Sequence, residues 1–330
     1  MSTLWRVPQS IAVIAALAMV GILFAWPDTG LLVTWKLLIP LVPLSLLIAP
    51  RLWRNLCPIA TLSQVPLLLG FGGKRRPTWK PGGGAALAGV VGLLLLVPLR
   101  HVLLDQNGAA LAIFVLTIVA AAVIGGFVFD GKSGWCASIC PVLPVERLYG
   151  ASPLARVPHA HCAACTGCIR GCIDIDERRS LAEVASGGDQ RDSGDRSARK
   201  LLRAPIGIFA LLFPGFIIGF FTVDTEGSLS SIYLWILLFS AASYAFLATI
   251  SVLTRVSITL MLSICGALAI SAYYWFSVPK VGNAIAGLAG MNSASPESIL
   301  VGRIAIGALI MIWLAKASGQ RPARHGERAR

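Results

Sequence analysis

Long apolar stretches constrain the fold of this chain more than any other feature of its sequence. Eight of them approach the roughly 20 residues needed to cross the hydrocarbon core of a bilayer. Hydrophobic residues make up 56% of the chain and charged residues only 13%, which is more apolar than a soluble domain. The sequence therefore predicts an all-α integral membrane protein of about eight transmembrane helices, the first retained rather than cleaved as a signal. The stretches lie near residues 9–26, 31–49, 84–104, 109–129, 204–223, 229–253, 257–278 and 298–316.

Lysine and arginine residues are concentrated in alternate links between these stretches. The links near 50–80 and 130–203 and the tail after residue 317 hold most of them, whereas the intervening links hold very few. By the positive-inside rule, the basic links and both termini are predicted to face the cytoplasm. The net charge of +13 is then explained by orientation and by contact with anionic lipid, and nucleic acid is not predicted as a partner.

A cluster of cysteines interrupts this pattern in the longest basic link. Four of the eight cysteines follow the spacing C-x2-C-x2-C-x3-C, namely Cys162, Cys165, Cys168 and Cys172. This spacing is typical of a bacterial iron–sulfur ligand run, without the proline that usually follows the last cysteine. Zinc sites usually separate two cysteine pairs by about a dozen residues or more, and disulfides are rare in the reducing cytoplasm. The run therefore predicts a [4Fe-4S] cluster in a small ferredoxin-like loop region.

A weak internal repeat places further cysteines on the same side of the membrane. The first copy, residues 53–58, reads W-R-N-L-C-P, and the second, residues 136–141, reads C-A-S-I-C-P. Trp53 stands in the first copy where the second has a cysteine. Because proline suits the first position of a helix, Cys57 and Cys140 are each predicted to cap a helix. A helix N-terminus would lower the thiol pKa and favour metal binding.

A cytoplasmic C-x3-C-P loop between membrane hairpins, followed by a ferredoxin run, resembles the membrane-bound polyferredoxins. This family includes the NapH and NosR accessory proteins of nitrate and nitrous-oxide respiration and, more distantly, CcoG. The match covers roughly residues 30–175. The chain departs from the family in its degenerate first copy, in having one four-cysteine run instead of two, and in lacking a periplasmic flavin domain. The resemblance implies electron transfer at the cytoplasmic face of a bacterial inner membrane, with redox partner proteins in a hetero-oligomeric complex.

The cysteines of the run and of the two repeat copies form one predicted ligand set. In two-cluster ferredoxins the fourth cysteine of a run ligates the other cluster. The first three cysteines of the run then need a distant fourth thiolate, Cys57 or Cys140, and Cys172 joins Cys136 and the remaining one. The predicted metal ligands are Cys57, Cys136, Cys140, Cys162, Cys165, Cys168 and Cys172.

The number of clusters stays open at this point, because two clusters need eight ligands and the set has seven cysteines. A second cluster would take a non-cysteine ligand, for which His159, His161 and Asp174 are nearby, or would contain three irons. In the alternative with one cluster, the run closes a single site with its own four cysteines.

Four basic residues and one further cysteine in or near the apolar stretches are also candidates for a functional role. Cys265 is a lone thiol in the seventh stretch and is predicted to serve packing. Arg100 and His101, at the outer end of the third stretch, are candidates to contact a quinone head group, although such residues are more often interfacial anchors. Lys36 and Arg303 are expected to reach the outer interface.

These features predict a membrane-anchored electron-transfer protein. One rival is a stand-alone quinol oxidase or metal-ion reductase, which needs a second redox centre near the outer face. Another is a redox-regulated transporter or sensor, for which Pro214 and the glycines at 207, 215 and 219 could break a helix.

The predicted organisation is a membrane half (1–129) with a degenerate loop (50–82), a cluster segment (130–175), a flexible charged linker (176–203), a second membrane half (204–317) and a basic tail (318–330).

Overall fold

A computed structural model describes residues 3–73, 75, 84–129, 134–158, 173, 177–185, 198–254 and 256–319. Regular structure in these residues is helical, and the only strand-like pairing among them is an isolated bridge between Arg75 and Phe129. The all-α class predicted from hydropathy is confirmed for this part of the chain.

Eight helices of the described chain are long and apolar enough to cross a membrane. All but the seventh end within a few residues of the predicted stretches, so the prediction of about eight spans is confirmed. They are α1 (Trp5–Ala25), α2 (Pro27–Ile48), α3 (Leu87–Leu104), α4 (Gly108–Val128), α5 (Pro205–Thr222), α6 (Leu229–Thr254), α7 (Ile258–Leu288) and α8 (Pro296–Gly319).

The seventh span continues to Leu288, well beyond its predicted end at residue 278. Hydropathy falls there because Lys280 and Asn283 are polar, but neither residue terminates a helix. The helix ends just before Gly290, whose φ of +76° is a left-handed conformation that glycine adopts without strain. Hydropathy therefore located the apolar part of α7 and not its true C-terminus.

Two spans contain π-helical segments that the sequence did not predict, Val33–Leu38 in α2 and Arg100–Leu104 in α3. A proline lies two residues after the first segment and two residues before the second. Because proline has no N–H to donate to the preceding turn, wider hydrogen-bonding patterns are tolerated close to it. Trp35 donates its Nε1–H to the carbonyl of Leu104 at 3.0 Å, so the two π segments face each other.

The main core surrounds α5, of which 67% of the apolar window is buried, against 11% for α1 and α8. Gly215 allows α6 to approach closely, since a Cβ there would lie 2.0 Å from the carbonyl oxygen of Phe239. The helix continues through Pro214, so the break that the transporter alternative invoked at this proline and the neighbouring glycines is not observed. Helix α6 packs against the small residues of α5, and α5 remains unbroken.

The two ends of the bundle carry different connections. Short turns join the spans at one end, which we call the opposite face. At the other end, the cysteine face, residues 49–69 and 134–158 form short helices and turns. The hairpins α1–α2 and α3–α4 both begin and end at the cysteine face, as the internal repeat predicts.

The segment 176–203 differs from the solvated linker that its composition predicts. Glu177–Ala185 is a helix, and its side chains Leu181, Val184 and Ala185 belong to the main hydrophobic core. A second helix, Ala198–Arg203, leads into α5. The linker prediction is therefore wrong for these two helices, because three apolar residues on one helical face outweigh the charges around them. Residues 186–197 lie outside the described residues, as does the tail from 320.

Candidate metal centre

Cys57 joins two short helices of the first hairpin. Its N–H donates to the carbonyl of Trp53 at 2.8 Å, at the end of the Pro50–Leu56 helix, and its own carbonyl accepts the N–H of Thr61 at 3.0 Å. Cys57 is the N-cap of the Pro58–Leu62 helix, with the proline at the first helical position. The predicted helix cap at Cys57 is confirmed.

Cys136 and Cys140 lie in a turn of the second hairpin, which covers residues 134–139 and ends at Cys140. The carbonyl of Trp135 accepts three N–H groups of this turn, the last of them from Cys140 at 3.2 Å. Both cysteines are partly buried. The turn therefore holds two thiols of one Cys-x3-Cys pair on a single short piece of backbone.

Cys140 does not cap a helix, so that prediction is wrong. The helix that follows is Leu143–Gly150 and has Val142 as its N-cap. A second proline, Pro144, occupies the first turn of this helix, which explains why the helix begins there rather than at the first proline.

The hairpins bring Cys57 close enough to act electrostatically on the second Cys-Pro motif. Desolvation raises the pKa of the Cys140 thiol, and the neighbouring Cys136 and Cys57 raise it further. A hydrogen bond from the N–H of Val142 acts in the opposite direction. The net effect is a pKa well above the ordinary thiol value, whereas the sequence predicted a lowered pKa. A bound metal cation would reverse this balance, because ligation requires and stabilises the thiolate.

Glycines allow the two hairpins to interlock around these cysteines. A Cβ at Gly126 of α4 would lie 2.1 Å from the carbonyl oxygen of Ser63, in the loop that follows Cys57. A Cβ at Gly89 of α3 would lie 3.1 Å from the carbonyl oxygen of Cys140. The approach at Gly126 requires a residue without a side chain, and the approach at Gly89 leaves little room for one.

A buried ion pair connects the two copies of the repeat. Arg54 of the Pro50–Leu56 helix donates from Nη1 to Oε2 of Glu146 in the Leu143–Gly150 helix at 3.1 Å. Their side chains are only 5% and 7% exposed. Arg147, the next residue along, is also buried. Buried charges at a membrane boundary are costly and often mark functional sites.

The Pro50–Leu56 helix also binds the chain on either side of the four-cysteine run. Asn55 donates its Nδ2–H to the carbonyl of Pro158 at 2.8 Å, four residues before the run. Arg51 forms an ion pair with Glu177, which follows the run. One short helix therefore carries Cys57 at its end and contacts both flanks of the run.

Four predicted ligands lie outside the described residues, namely Cys162, Cys165, Cys168 and Cys172. The suggested non-cysteine ligands His159, His161 and Asp174 lie outside them as well. Within the described chain, no three His, Cys, Asp or Glu side chains are grouped closely enough to hold a metal ion. The three described cysteines of the predicted set do not form a complete metal site by themselves.

No disulfide joins any two of the four described cysteines. Cys265 is fully buried in α7 and belongs to the main hydrophobic core, as predicted for a packing residue. It is therefore a suitable internal control for the other thiols.

Sequence reasoning missed the polar groups that surround the cysteines. Arg51, Arg54 and Asn55 stand directly before Cys57, and charged residues beside a motif in so apolar a chain were an available signal. Their partners were not predictable from spacing, because Arg54 and Glu146 are 92 positions apart.

A second polar cluster lies at the opposite face. Arg100 pairs with Asp105, and His101 contacts the backbone of α5 through the carbonyl of Phe220 at 3.0 Å. Arg303 donates to the carbonyl of Trp275 at 2.8 Å and lies 4.0 Å above its ring.

No protein-family model, characterised protein or solved structure gives a significant match to the chain.

Proposed function

We propose that this chain is a membrane-anchored electron-transfer protein that binds one or two [4Fe-4S] clusters at its cysteine face. It passes electrons between a membrane partner or the quinone pool and a redox acceptor, as a subunit of a larger complex. It belongs with the membrane-bound polyferredoxins, and its cysteine face is the cytoplasmic side of a bacterial inner membrane.

The observation that carries this proposal is the meeting of the two hairpins. Sequence positions 57 and 140 are far apart, yet the fold brings their thiols into electrostatic range of each other. Thiols gathered under partial burial raise one another's pKa, an arrangement that favours the neutral forms unless a cation compensates. Thiolate ligation of iron is the compensation that the neighbouring C-x2-C-x2-C-x3-C spacing suggests.

Chain connectivity supports a shared site. Cys162 follows Pro158 by four residues, which reach at most about 14 Å when fully extended. Pro158 is held by Asn55, two residues before the first Cys-Pro cysteine. At the other end, Glu177, which follows Cys172 by five residues, forms an ion pair with Arg51 of the same Pro50–Leu56 helix. Both ends of the run are therefore tethered to the part of the protein that holds the other three cysteines.

We assign the ligands as the sequence pattern suggests. The first three cysteines of the run share a cluster with Cys57 or Cys140, and Cys172 joins Cys136 and the remaining Cys-Pro thiolate in the two-cluster form. The eighth ligand is then His159, His161 or Asp174, or the second cluster contains three irons. In the one-cluster form the run acts alone.

A [4Fe-4S] cluster provides reversible one-electron chemistry when it is bound. The cysteine thiolates would hold the iron, and the neighbouring charged side chains would set the local electrostatic potential. Arg54 and Arg147 are buried cations at the cysteine face, partly offset by Glu146. Positive charge near such a centre raises its reduction potential, so these arginines favour electron acceptance.

The Arg100–His101 pair is a poor site for a quinone that donates electrons to a cluster at the cysteine face. That pair lies at the other end of spans that cross about 30 Å of hydrocarbon. Its hydrogen-bonding groups are also engaged, Arg100 with Asp105 and His101 with Phe220.

The transporter alternative called for a broken helix at Pro214. The structure does not favour it, because α5 is continuous there.

The test is metal analysis of the full-length chain purified in detergent without oxygen. The preparation is expected to be brown, with about four or about eight irons per chain and equal sulfide, and to show an EPR signal after reduction. Zinc in place of iron, or a colourless protein without metal, contradicts the proposal.

Cys136→Ser separates the two forms, and Cys265→Ser is the matched control. Two clusters predict that Cys136→Ser lowers the iron content and alters the EPR spectrum. About four irons with an unchanged spectrum leave a single cluster bound by the run. Cys265→Ser is expected to match the wild-type protein in both measurements.

A further inference from the structure

Basic side chains from three spans converge at the opposite face of the bundle. Lys36 comes from α2, Arg100 from α3 and Lys280 from α7. Lys280 lies within electrostatic range of Arg100, Lys36 and the carboxylate of Asp105. Three cations therefore share the neighbourhood of one acid.

Arg100 is already compensated within the protein. Its guanidinium forms an ion pair with Asp105 and lies 3.9 Å above the ring of Trp35. The carboxylate also lies 3.8 Å from Nδ1 of His101. The single acidic group of this cluster is consequently committed to α3.

His101 has a structural role in the same cluster. Its Nε2 lies 3.0 Å from the carbonyl oxygen of Phe220, and its ring stacks on the Phe220 ring at 4.2 Å. That carbonyl belongs to the last turn of α5, where helices have no partner of their own for such groups. His101 therefore caps α5 and fixes α3 against it.

The two lysines differ from Arg100. Both are exposed on the outer surface of the bundle, and neither forms an ion pair with a carboxylate of the described chain. Lys36 lies nine residues into α2, roughly 13 Å along the helix from Pro27. The ammonium of Lys280 lies 4.7 Å from the ring centre of Phe221. Lys280 thus has an aromatic neighbour, and the one carboxylate near the two lysines, Asp105, is paired with Arg100.

We propose that Lys36 and Lys280 bind the phosphate of an anionic phospholipid in the leaflet at the opposite face. A lysine ammonium is a good phosphate partner, and its long stem can extend along apolar surface to reach one. The exposure of both lysines on membrane-spanning helices favours a lipid head group over a soluble anion. The ring of Phe221 lies beside the Lys280 ammonium and offers apolar surface to the glycerol and upper acyl carbons.

Arg303 provides the contrast within the same protein. It lies seven residues into α8, at a depth similar to that of the lysines, but donates to the carbonyl of Trp275 and stacks on its ring. Its guanidinium is held against α7 by this carbonyl and ring, so the proposed site does not include it.

Native mass spectrometry of the full-length protein in detergent tests this site with phosphatidylglycerol, with diacylglycerol and with inorganic phosphate. The wild type is expected to retain phosphatidylglycerol and not diacylglycerol, which lacks the phosphate. The double variant Lys36→Gln/Lys280→Gln is expected to bind the lipid at least tenfold more weakly. Arg303→Gln is expected to bind it like the wild type, and Lys280→Arg, which keeps the charge, is expected to retain it.

Equal lipid retention by the double variant and the wild type overturns the proposal. Displacement of the lipid by millimolar inorganic phosphate overturns the assignment to a lipid head group. The inference does not rest on the proposed electron-transfer function. Because the lysines are at the other end of the bundle from the cysteines, iron content is expected to be the same in all these variants.

Discussion

The two hairpins carry the same Cys-Pro motif but fold differently around it. In the first, the N–H of Cys57 donates to the carbonyl four residues back, that of Trp53, in a helical pattern. In the second, the N–H of Cys140 donates to the carbonyl five residues back, that of Trp135, in a wider turn. The second hairpin therefore presents two thiols on one turn, and the first presents one thiol at a helix junction.

This difference shows that the first hairpin is not merely a degraded copy. Its Pro50–Leu56 helix binds Glu146, Pro158 and Glu177, which come before and after the four-cysteine run. The first hairpin supplies the polar contacts that organise the cysteine face, and the second supplies two of its three described thiols.

The largest expected effect is the loss of a ligand from the second hairpin. Cys140→Ser is expected to reduce iron and sulfide per chain by at least half in the two-cluster form, because Cys140 serves one cluster or the other. Anaerobic metal analysis measures this, with Cys265→Ser as the control. Normal iron and an unchanged EPR spectrum in Cys140→Ser would remove the second hairpin from the site.

The second-largest effect is expected from variants that break the Arg54–Glu146 ion pair between the hairpins. Arg54→Gln leaves a buried carboxylate behind and is expected to lower the free energy of unfolding by about 3–5 kcal/mol. The double variant Arg54→Met/Glu146→Leu leaves no buried charge and is expected to lose less. Thermal unfolding in detergent compares the two variants. Equal losses of stability in both variants would show that the unpaired buried carboxylate does not cause the destabilisation.

A smaller effect concerns the interlocking of the hairpins. Gly126→Ala places a methyl group against the carbonyl of Ser63 and is expected to cost about 1–3 kcal/mol of stability. Gly307→Ala in α8, where nothing lies within 4 Å of an added Cβ, is the matched control and is expected to be near neutral. Identical unfolding temperatures of the two variants would contradict the close approach of α4 to the loop.

Trp53→Cys restores the missing cysteine of the first copy and tests whether the first hairpin can supply a second ligand. In the two-cluster form it provides an eighth thiol, and iron content is expected to approach about eight per chain with slower loss in air. Trp53→Ser makes a similar cavity without a ligand and controls for packing against the core. Iron that is unchanged in Trp53→Cys would favour the one-cluster form.

The smallest effect is a pH dependence of the metal-free protein. Because the pKa of Cys140 is raised in the folded state, its contribution to stability is fully present below the ordinary thiol pKa of about 8.5. It is lost as the pH rises above that value, when the unfolded chain ionises first. Alkylation followed by mass spectrometry should show the Cys140 rate still rising above pH 9. A plateau near pH 8.5 would contradict the raised pKa.

Much of the fold follows from local signals in the sequence. Hydropathy located the eight spans because a backbone in lipid must satisfy its own hydrogen bonds, which leaves helices as the solution. The Cys57 cap followed from the proline after it. The Cys140 cap failed because a second proline, Pro144, three residues after Pro141, fixed the helix start instead.

The features that the sequence did not predict depend on contacts between distant residues or on small departures from average patterns. The Arg54–Glu146 pair requires the hairpins to meet, which no local pattern encodes. The Glu177–Ala185 helix has few apolar residues within a charged segment, so composition concealed it. The π segments that meet through Trp35 and the carbonyl of Leu104 have no established sequence signal beyond a nearby proline.

The most direct test of the central claim is a Mössbauer spectrum of the full-length protein, produced with ⁵⁷Fe and purified without oxygen. We predict sulfur-ligated iron in clusters of the [4Fe-4S] type, with the signal diminished in the Cys57→Ser/Cys140→Ser variant. A protein that contains no iron, or that holds zinc at these cysteines, would contradict the account.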